Sequence, residues 1–378
     1  MADSLSRFQA FLILNALPEV GPITTHRLLA EFDGDPCRIF EAGVDRLMQV
    51  RGVGEVISRS IVSWREAFDL EKEETRMAES HVGFVTATHS EYPPLLKEIH
   101  DPPIGLYRKG NHVPDRPCVA IVGSRRTTLY GQTTAAKLGA DLARAGFCVV
   151  SGLARGIDTA AHEGALGVGG QTAGILGHGM DTVYPPENLA LYRRIEHEGV
   201  LLTEFPFTRR ADRQSFAMRN RIVAGMSVAL IVVESDVNGG SMITAKFAGD
   251  QGRLVFAVPG RIDQPTSAGC HQLIRDGATL LTSVDDLVSE LTYLDGLRPT
   301  AVMPNASRHV VGPAPEDFSP EEQRLLSTFS GGAILSIDAL CQISGLELSV
   351  VSAALMRLEL RRRVAKRLDG TFEARAAS

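Results

Sequence analysis

Five glycine-bearing segments, each placed directly after a short apolar run, hold the residues of this chain that could do chemistry. They are Gly123-Ser124-Arg125-Arg126, the stretch Ser151-Gly152 to Asp158, Gly177-His178-Gly179, Asn238-Gly239-Gly240-Ser241 and Pro259-Gly260-Arg261. Glycine lets backbone approach a ligand closely, and a helix starting after such a turn offers unpaired amides and partial positive charge. Arg125, Arg155, Arg219, Arg221, Lys246 and Arg261 flank these turns, so the set reads as a site for an anion, and phosphate fits best. The dinucleotide fingerprint is missing, because Gly123-Ser-Arg-Arg-Thr-Thr lacks its second and third glycines. No P-loop motif occurs either, so NAD and ATP are both disfavoured.

The stretch Phe216 to Gly225 adds a second ingredient. Arg219 and Arg221 straddle Asn220 at the expected start of a helix, and Phe216 precedes them. Cations beside an aromatic ring are what a single-stranded nucleic acid needs, and stacking contributes about 1–3 kcal/mol per base. The plainer readings are a core-facing Phe216 and a solvated helix start. A catalytic assembly of Ser151 or Ser124 with His162 and Asp158 is weaker. A His and an Asp one turn apart usually form a local structural pair, and Ser151 lacks the G-x-S-x-G elbow. Without a marked nucleophile, carboxylate pair or metal cluster, the pattern favours a cofactor-free binding protein over an enzyme.

The elements that must position these residues follow from hydrophobic patterning. Short apolar runs at Cys118–Val122, Cys148–Val150, Thr172–Leu176, Leu201–Thr203, Val228–Glu234 and Leu254–Val258 read as strands. Helix-like segments lie between them near Gly131–Ala145, Ile157–Leu166, Leu189–His197, Arg219–Ala224 and Ser241–Gln251. Such alternation predicts an α/β domain over 82–297, Rossmann-like, with a doubly wound and mostly parallel sheet. In that architecture ligands bind beyond the carboxyl ends of the strands, where all five turns fall. Residues 82 to about 117 contain Tyr92-Pro-Pro and Asp101-Pro-Pro and read as an extended connector.

Residues 1–81 read as helical, with apolar spacing over Phe8–Leu17, His26–Phe32 and Val56–Phe68. The breaks at 18–21 and 51–54 have the form of paired helix-hairpin-helix units, whose amides can hold a DNA phosphate, although a plain helical bundle is the simpler reading. Residues 298–318 are proline-rich and read as a linker. The tail, 319–378, reads as three helices and a hairpin turned at Asp369-Gly370, which resembles a winged helix. Its Arg357, Arg361, Arg362, Arg363, Lys366 and Arg367 form a basic cluster suited to duplex backbone, to a protein partner or merely to solvent.

Composition limits the alternatives. The chain has 378 residues, 44% hydrophobic and 22% charged, which is enough apolar content for more than one globular core. A formal net charge of −6 means that any anion site is local rather than a whole-molecule field. The five cysteines, Cys37, Cys118, Cys148, Cys270 and Cys341, are scattered, which suits reduced thiols in the cytoplasm and no metal site. The apolar run Phe11–Leu14 is too short to span a bilayer, and no export signal or membrane segment is read.

Taken together, Ala120-Ile-Val-Gly-Ser-Arg, Tyr130-Gly131, Ser151-Gly-Leu-Ala-Arg-Gly-Ile-Asp-Thr-Ala-Ala-His, Arg219-Asn-Arg-Ile-Val-Ala-Gly, Gly239-Gly-Ser and Ala257-Val-Pro-Gly closely resemble the bacterial DNA-processing protein A family (DprA, also called Smf). The likeness covers the central domain, and the family layout adds a sterile-alpha-motif-like front and a winged-helix tail. It implies a non-enzymatic binder of single-stranded DNA that protects incoming strands in natural transformation and loads the recombinase RecA onto them. It also implies a homodimer formed through the Rossmann-like domain. The family's phosphate pocket maps onto Gly123, Ser124, Arg125, Ser151, Gly152, Arg219, Asn220, Arg221, Gly240, Ser241 and Lys246, and its base-contacting aromatic onto Phe216. The alternative is a nucleotide phosphoribohydrolase of the lysine-decarboxylase-like Rossmann group. That group carries a P-G-G-x-G-T-x-x-E segment, and Asn238-Gly-Gly-Ser-Met-Ile-Thr lacks its Gly-Thr pair and its Glu. A duplex-DNA regulator acting through the winged helix would leave the glycine-rich rim unexplained.

Overall fold

Helices α1 (Arg7–Ala16), α2 (Pro22–Glu31), α3 (Pro36–Glu41), α4 (Val44–Leu47), α5 (Glu55–Val62), α6 (Trp64–Ala67) and α7 (Leu70–Glu79) open the chain. The computed structural model describes residues 5–292, 318–329, 333–361, 363–367 and 369–374. Gly21 and Gly54, in the two expected breaks, are the N-caps of α2 and α5, neither with a side-chain capping bond.

Next come β1 (Gly83–Thr86), β2 (Gly105–Lys109), β3 (Cys118–Val122), α8 (Leu129–Arg144), β4 (Cys148–Ser151), α9 (Ile157–Gly167), β5 (Thr172–Ile175), α10 (Leu189–Glu198) and β6 (Val200–Thr203). The domain ends with α11 (Arg213–Gly225), β7 (Ala229–Val232), α12 (Gly240–Asp250), β8 (Leu254–Ala257), α13 (Ala268–Arg275), β9 (Thr279–Leu280) and α14 (Val284–Thr292). The strands form one nine-stranded sheet in the order β1-β2-β6-β5-β4-β3-β7-β8-β9. All pairs from β6 to β9 are parallel. Strict alternation buries both faces: Cys118, Ala120 and Val122 of β3 join one core, and Val119 and Ile121 the other.

Two features depart from the sequence reading. The expected connector over 82–117 contains β1 and β2, which pair antiparallel and extend the sheet through an antiparallel β2–β6 contact. Its prolines fall at the start of a 3₁₀ turn (Pro94–Glu98) and in the loops on either side of β2, so they interrupt helix without entering either strand. The helices of 1–81 also share a core with this antiparallel edge, in which Leu12, Leu28 and Trp64 pack with Phe84, Ile104, Tyr107 and Phe207. Buried Glu73 fixes the junction, accepting from the Tyr107 hydroxyl at 2.8 Å and from the Phe207 amide at 3.0 Å.

The chain divides into two compact units. The larger holds the described residues up to 292 except Thr128–Thr133, and the smaller holds Thr128–Thr133 and the described residues from 318 on. The smaller unit includes α15 (Pro320–Thr328), β10 (Ile334–Leu335), α16 (Ile337–Ser344), α17 (Leu348–Leu360), β11 (Val364–Lys366) and β12 (Phe372–Ala374). Three helices and a three-stranded antiparallel sheet in the order β10-β12-β11 make a winged helix. The expected linker 298–318 lies outside the described residues up to 317. Among the described residues, no single helix is long and apolar enough to cross a membrane.

Glycines hold α8 and α9 close together. A Cβ on Gly164 would run into the Ala136 carbonyl, and one on Gly139 into the Ala161 carbonyl. Gly164→Ala should therefore cost about 1–3 kcal/mol, because a rigid backbone cannot yield as a side chain can. Urea unfolding of the variant checks this, and an unchanged midpoint would refute the close packing.

Candidate nucleic-acid interface

Strand order sets where a ligand can enter. From β3 the chain steps outward through β4, β5 and β6, then returns to lay β7 on the other side of β3. Helices α8 and α9 cover one face, with Ala135, Leu138 and Ala160 in its core, while α11 and α12 cover the other through Ile222, Val223 and Ala245. The loops leaving β3 and β7 therefore diverge, and a crevice opens at their carboxyl ends. A cleft of about 620 Å³ lies there. Its walls include Gly123, Ser124, Arg125 and Arg126 after β3, Gly152 and Asp158 after β4, and Ser235, Asp236, Asn238, Gly239, Gly240 and Ser241 after β7. Helix α11 contributes Arg213, Phe216, Arg219 and Asn220. The turns after β5 and β8 contribute nothing to its walls, although Gly177 packs behind Phe216, so three of the five glycine-rich turns line one cleft.

The main correction concerns α11. This helix starts at Arg213, well before Arg219, because Asp212 and Ser215 form a capping box: the Asp212 carboxylate accepts from the Ser215 amide at 2.7 Å. Arg219 and Arg221 are therefore mid-helix, roughly 200° apart around its axis, and cannot face one phosphate together. Arg221 points away from the cleft into a buried cluster, where its guanidinium pairs with Glu204 and, at 3.2 Å, with Asp101. Burial raises the Glu204 carboxyl, against the opposing pull of Arg221.

Arg219 does reach the cleft wall, yet its guanidinium is turned inward. It donates to the Gly152 carbonyl at 2.6 Å and to that of Ile175, tying α11 to the ends of β4 and β5. A Cβ on Gly152 would meet this guanidinium, so that glycine makes room for a side chain of the protein itself. Burial lowers the Arg219 pKa, opposed by the charge of Asp158.

The remaining expected residues sort cleanly. Gly123, Ser124, Arg125, Gly152, Phe216, Asn220, Gly240 and Ser241 come together on the cleft, whereas exposed Lys246 on α12 is not part of its lining. Ser151 is fully buried and donates to the Ile121 carbonyl at 2.6 Å. His162 is also fully buried, shares a 2.7 Å hydrogen bond with Thr172, and is driven down to about 3 by burial. Asp158 accepts from the amides of Gly152 and Ala154 at 3.1 and 3.3 Å. These side chains build the loop after β4 and leave no exposed serine beside a titrating histidine. Among the described residues, no group of three or more His, Cys, Asp or Glu could hold a metal ion.

Among the polar wall residues, Arg213, Ser235 and Asp236 lie outside every segment singled out from sequence, and Arg126 and Asn238 lie in the named turns but were not assigned to the phosphate pocket. Recognising the Asp212–Ser215 capping box would have placed Arg213 in the first turn of α11. Among the described residues, no carboxylate lies within 4.0 Å of the charged ends of Arg125, Arg126 or Arg213, unlike Arg155, which pairs with Glu187, and Arg261, which pairs with Asp263. Arg125 sits 5.1 Å from the centroid of the Phe216 ring, a cation–π distance. Helix α12 begins at this cleft with no side-chain cap on its N-terminus.

Comparison with known proteins places the chain in a family. The family described as DNA recombination-mediator protein A matches residues 83–292, and the DprA winged helix domain matches 311–370. The chain belongs to the DNA recombination-mediator protein A family. Protein Smf of Synechocystis sp. is 32% identical, with 95% of this chain and 96% of that protein covered. DNA processing protein A from Streptococcus pneumoniae has a solved structure at TM-score 0.66 and 31% identity, with 76% of this chain and 98% of that one covered. Another, from Helicobacter pylori, was solved for its single-stranded DNA binding mode. It matches at TM-score 0.51 and 30% identity over 57% of this chain and 98% of that one.

In the winged helix, half of the expected basic cluster is engaged by the domain's own carboxylates. Arg357 and Arg361 meet buried Glu322 at 2.9 and 3.6 Å, and Arg367 lies 3.8 Å from Glu373. Arg363 and Lys366 lie over the rings of Phe318 and Phe372. Arg362 falls outside the described residues.

Because Arg221 leaves Glu204 buried without its cation when removed, Arg221→Met should lower unfolding free energy by about 3–5 kcal/mol. Chemical denaturation followed by circular dichroism measures this, and a loss below about 1 kcal/mol would contradict the buried-pair assignment.

Proposed function

We propose that the cleft grips the sugar-phosphate backbone of single-stranded DNA, and that the chain serves DNA processing by binding rather than by turnover. The observation that carries this reading is the trio Arg125, Arg126 and Arg213, without carboxylate partners among the described residues, around the half-buried ring of Phe216. Guanidiniums follow a phosphate chain and an aromatic face accepts any unpaired base, whereas a duplex keeps its base faces stacked. The uncapped start of α12 adds amide donors and a positive dipole end. The single-stranded DNA binding of the Helicobacter pylori relative supports the same ligand here. In this reading Arg219 is a positioning residue that holds Phe216 and Asn220 at the strand ends.

The family resemblance extends the proposal to a cytoplasmic homodimer, formed through the α/β domain, that protects incoming strands during natural transformation and passes them to RecA. The phosphoribohydrolase reading loses further ground. Counting along that group's motif from Gly239-Gly240, its catalytic Glu position is occupied by Lys246, outside the cleft lining.

Arg125→Glu and Arg126→Glu should each cost at least about 1.5–3 kcal/mol of affinity for oligo-dT, a tenfold weakening or more. They should also flatten the salt dependence, the slope falling by about 0.7 for each phosphate no longer neutralised. Fluorescence anisotropy across a salt series reads both, with Arg221→Met as a variant whose folded fraction binds normally. Wild-type affinity in both reversals would remove the site. Incubation with nucleoside monophosphates should release no free base, and turnover detected by chromatography would favour the hydrolase.

A further inference from the structure

Phe216 is one member of a longer row. Its ring centroid lies 5.2 Å from that of Tyr184, at an interplanar angle of 35°; Arg125 and Arg219 both stand within cation–π distance of Phe216, and Arg155 of Tyr184. Arg125 is 5.1 Å from the Phe216 centroid and Arg155 is 5.9 Å from that of Tyr184. The row Arg125–Phe216–Tyr184–Arg155 starts in the cleft, where Arg125 and Phe216 are wall residues, and continues beyond it, since Tyr184 and Arg155 line no part of that wall. Neither ring belongs to a hydrophobic core of the molecule. Tyr184 is partly exposed, and its backbone is held by the Tyr192 hydroxyl, which donates to its carbonyl at 2.9 Å.

We propose that Tyr184 is a second base shelf, on which a strand leaving the cleft stacks its next base, while Arg155 moves from the ring to the adjoining phosphate. The proposal rests on the reading of the cleft as a single-stranded DNA site and extends that site by one nucleotide step. Glu187 is the built-in competitor. It holds Arg155 through both carboxylate oxygens, one contact being 3.0 Å, with 46% and 52% of the two side chains exposed. An ion pair so open to water is weak, so a phosphate can take the place of the carboxylate. Stacking on a tyrosine face is indifferent to base identity, so the shelf lengthens the binding track without adding sequence preference.

The test is fluorescence anisotropy of the full chain with a length series of labelled oligo-dT, comparing Tyr184→Leu, Tyr184→Phe, Glu187→Gln and the double variant Arg125→Ala/Arg126→Ala. Tyr184→Leu should weaken long oligonucleotides by roughly fivefold or more and leave the shortest ones that still bind unaffected, while Tyr184→Phe behaves as wild type. Glu187→Gln, which keeps the shape of the side chain, should tighten long oligonucleotides about twofold or more at low salt. If Tyr184→Leu binds every length like wild type, or loses equally at every length, the shelf is wrong. If Glu187→Gln changes nothing, the exchange at Arg155 is wrong. The double variant separates the two levels: should it weaken all lengths while Tyr184→Leu weakens none, the cleft stands without the shelf, and should it weaken nothing, the cleft reading falls as well.

Discussion

The crevice between the loops of β3 and β7 exists because one strand has parallel neighbours whose following helices go to opposite faces. Helices α8 and α9 must cover one side of the sheet and α11 and α12 the other, since both faces are lined with apolar side chains that water cannot be left to cover. The opening is thus a by-product of burying two cores with one sheet. The polar residues found there fill a space that packing had already created.

Within that space, a side chain's neighbours decide its task more than its type does. Four arginines expected at one rim divide into two kinds. Arg219 and Arg221 are consumed by the fold, one on the carbonyls at the ends of β4 and β5 and the other between Glu204 and Asp101. Arg125 and Arg126 sit on the loop after β3, exposed and without a carboxylate within 4.0 Å among the described residues. The inward pair still shapes the site, since Arg219 anchors the helix that carries Phe216.

Much of this is legible in the sequence, and the failures have specific causes. All six expected strands lie within one or two residues of their observed ends, because a parallel strand buried on both faces is a continuous apolar run bounded by glycine. Strands β1 and β2 escape the pattern because they are short antiparallel additions beside the parallel sheet, in a segment whose prolines dominate its composition. The start of α11 falls six residues before its expected place because apolar spacing points to Ile222-Val223-Ala224, whereas the true signal is polar, Asp212 reaching Ser215. That shift is what puts Arg219 and Arg221 mid-helix instead of at a helix tip. A one-dimensional pattern registers a guanidinium but not the direction it faces, and only the packed Glu204 and the room above Gly152 reveal the inward turn.

Asp158 and the Glu234 carbonyl have a consequence for the kind of ligand the cleft prefers. Together they occupy the amides of Gly152, Ala154 and Ser124, so the loops after β3 and β4 have already committed donors that could have cradled a small anion. A solitary mononucleotide then finds mainly long, pliant arginine side chains, each of which loses rotational freedom when it closes on a phosphate. A polymer offsets that loss by presenting its charges in series, so that each engaged residue raises the effective concentration of the next. Under the proposed function, such a surface favours chains over monomers.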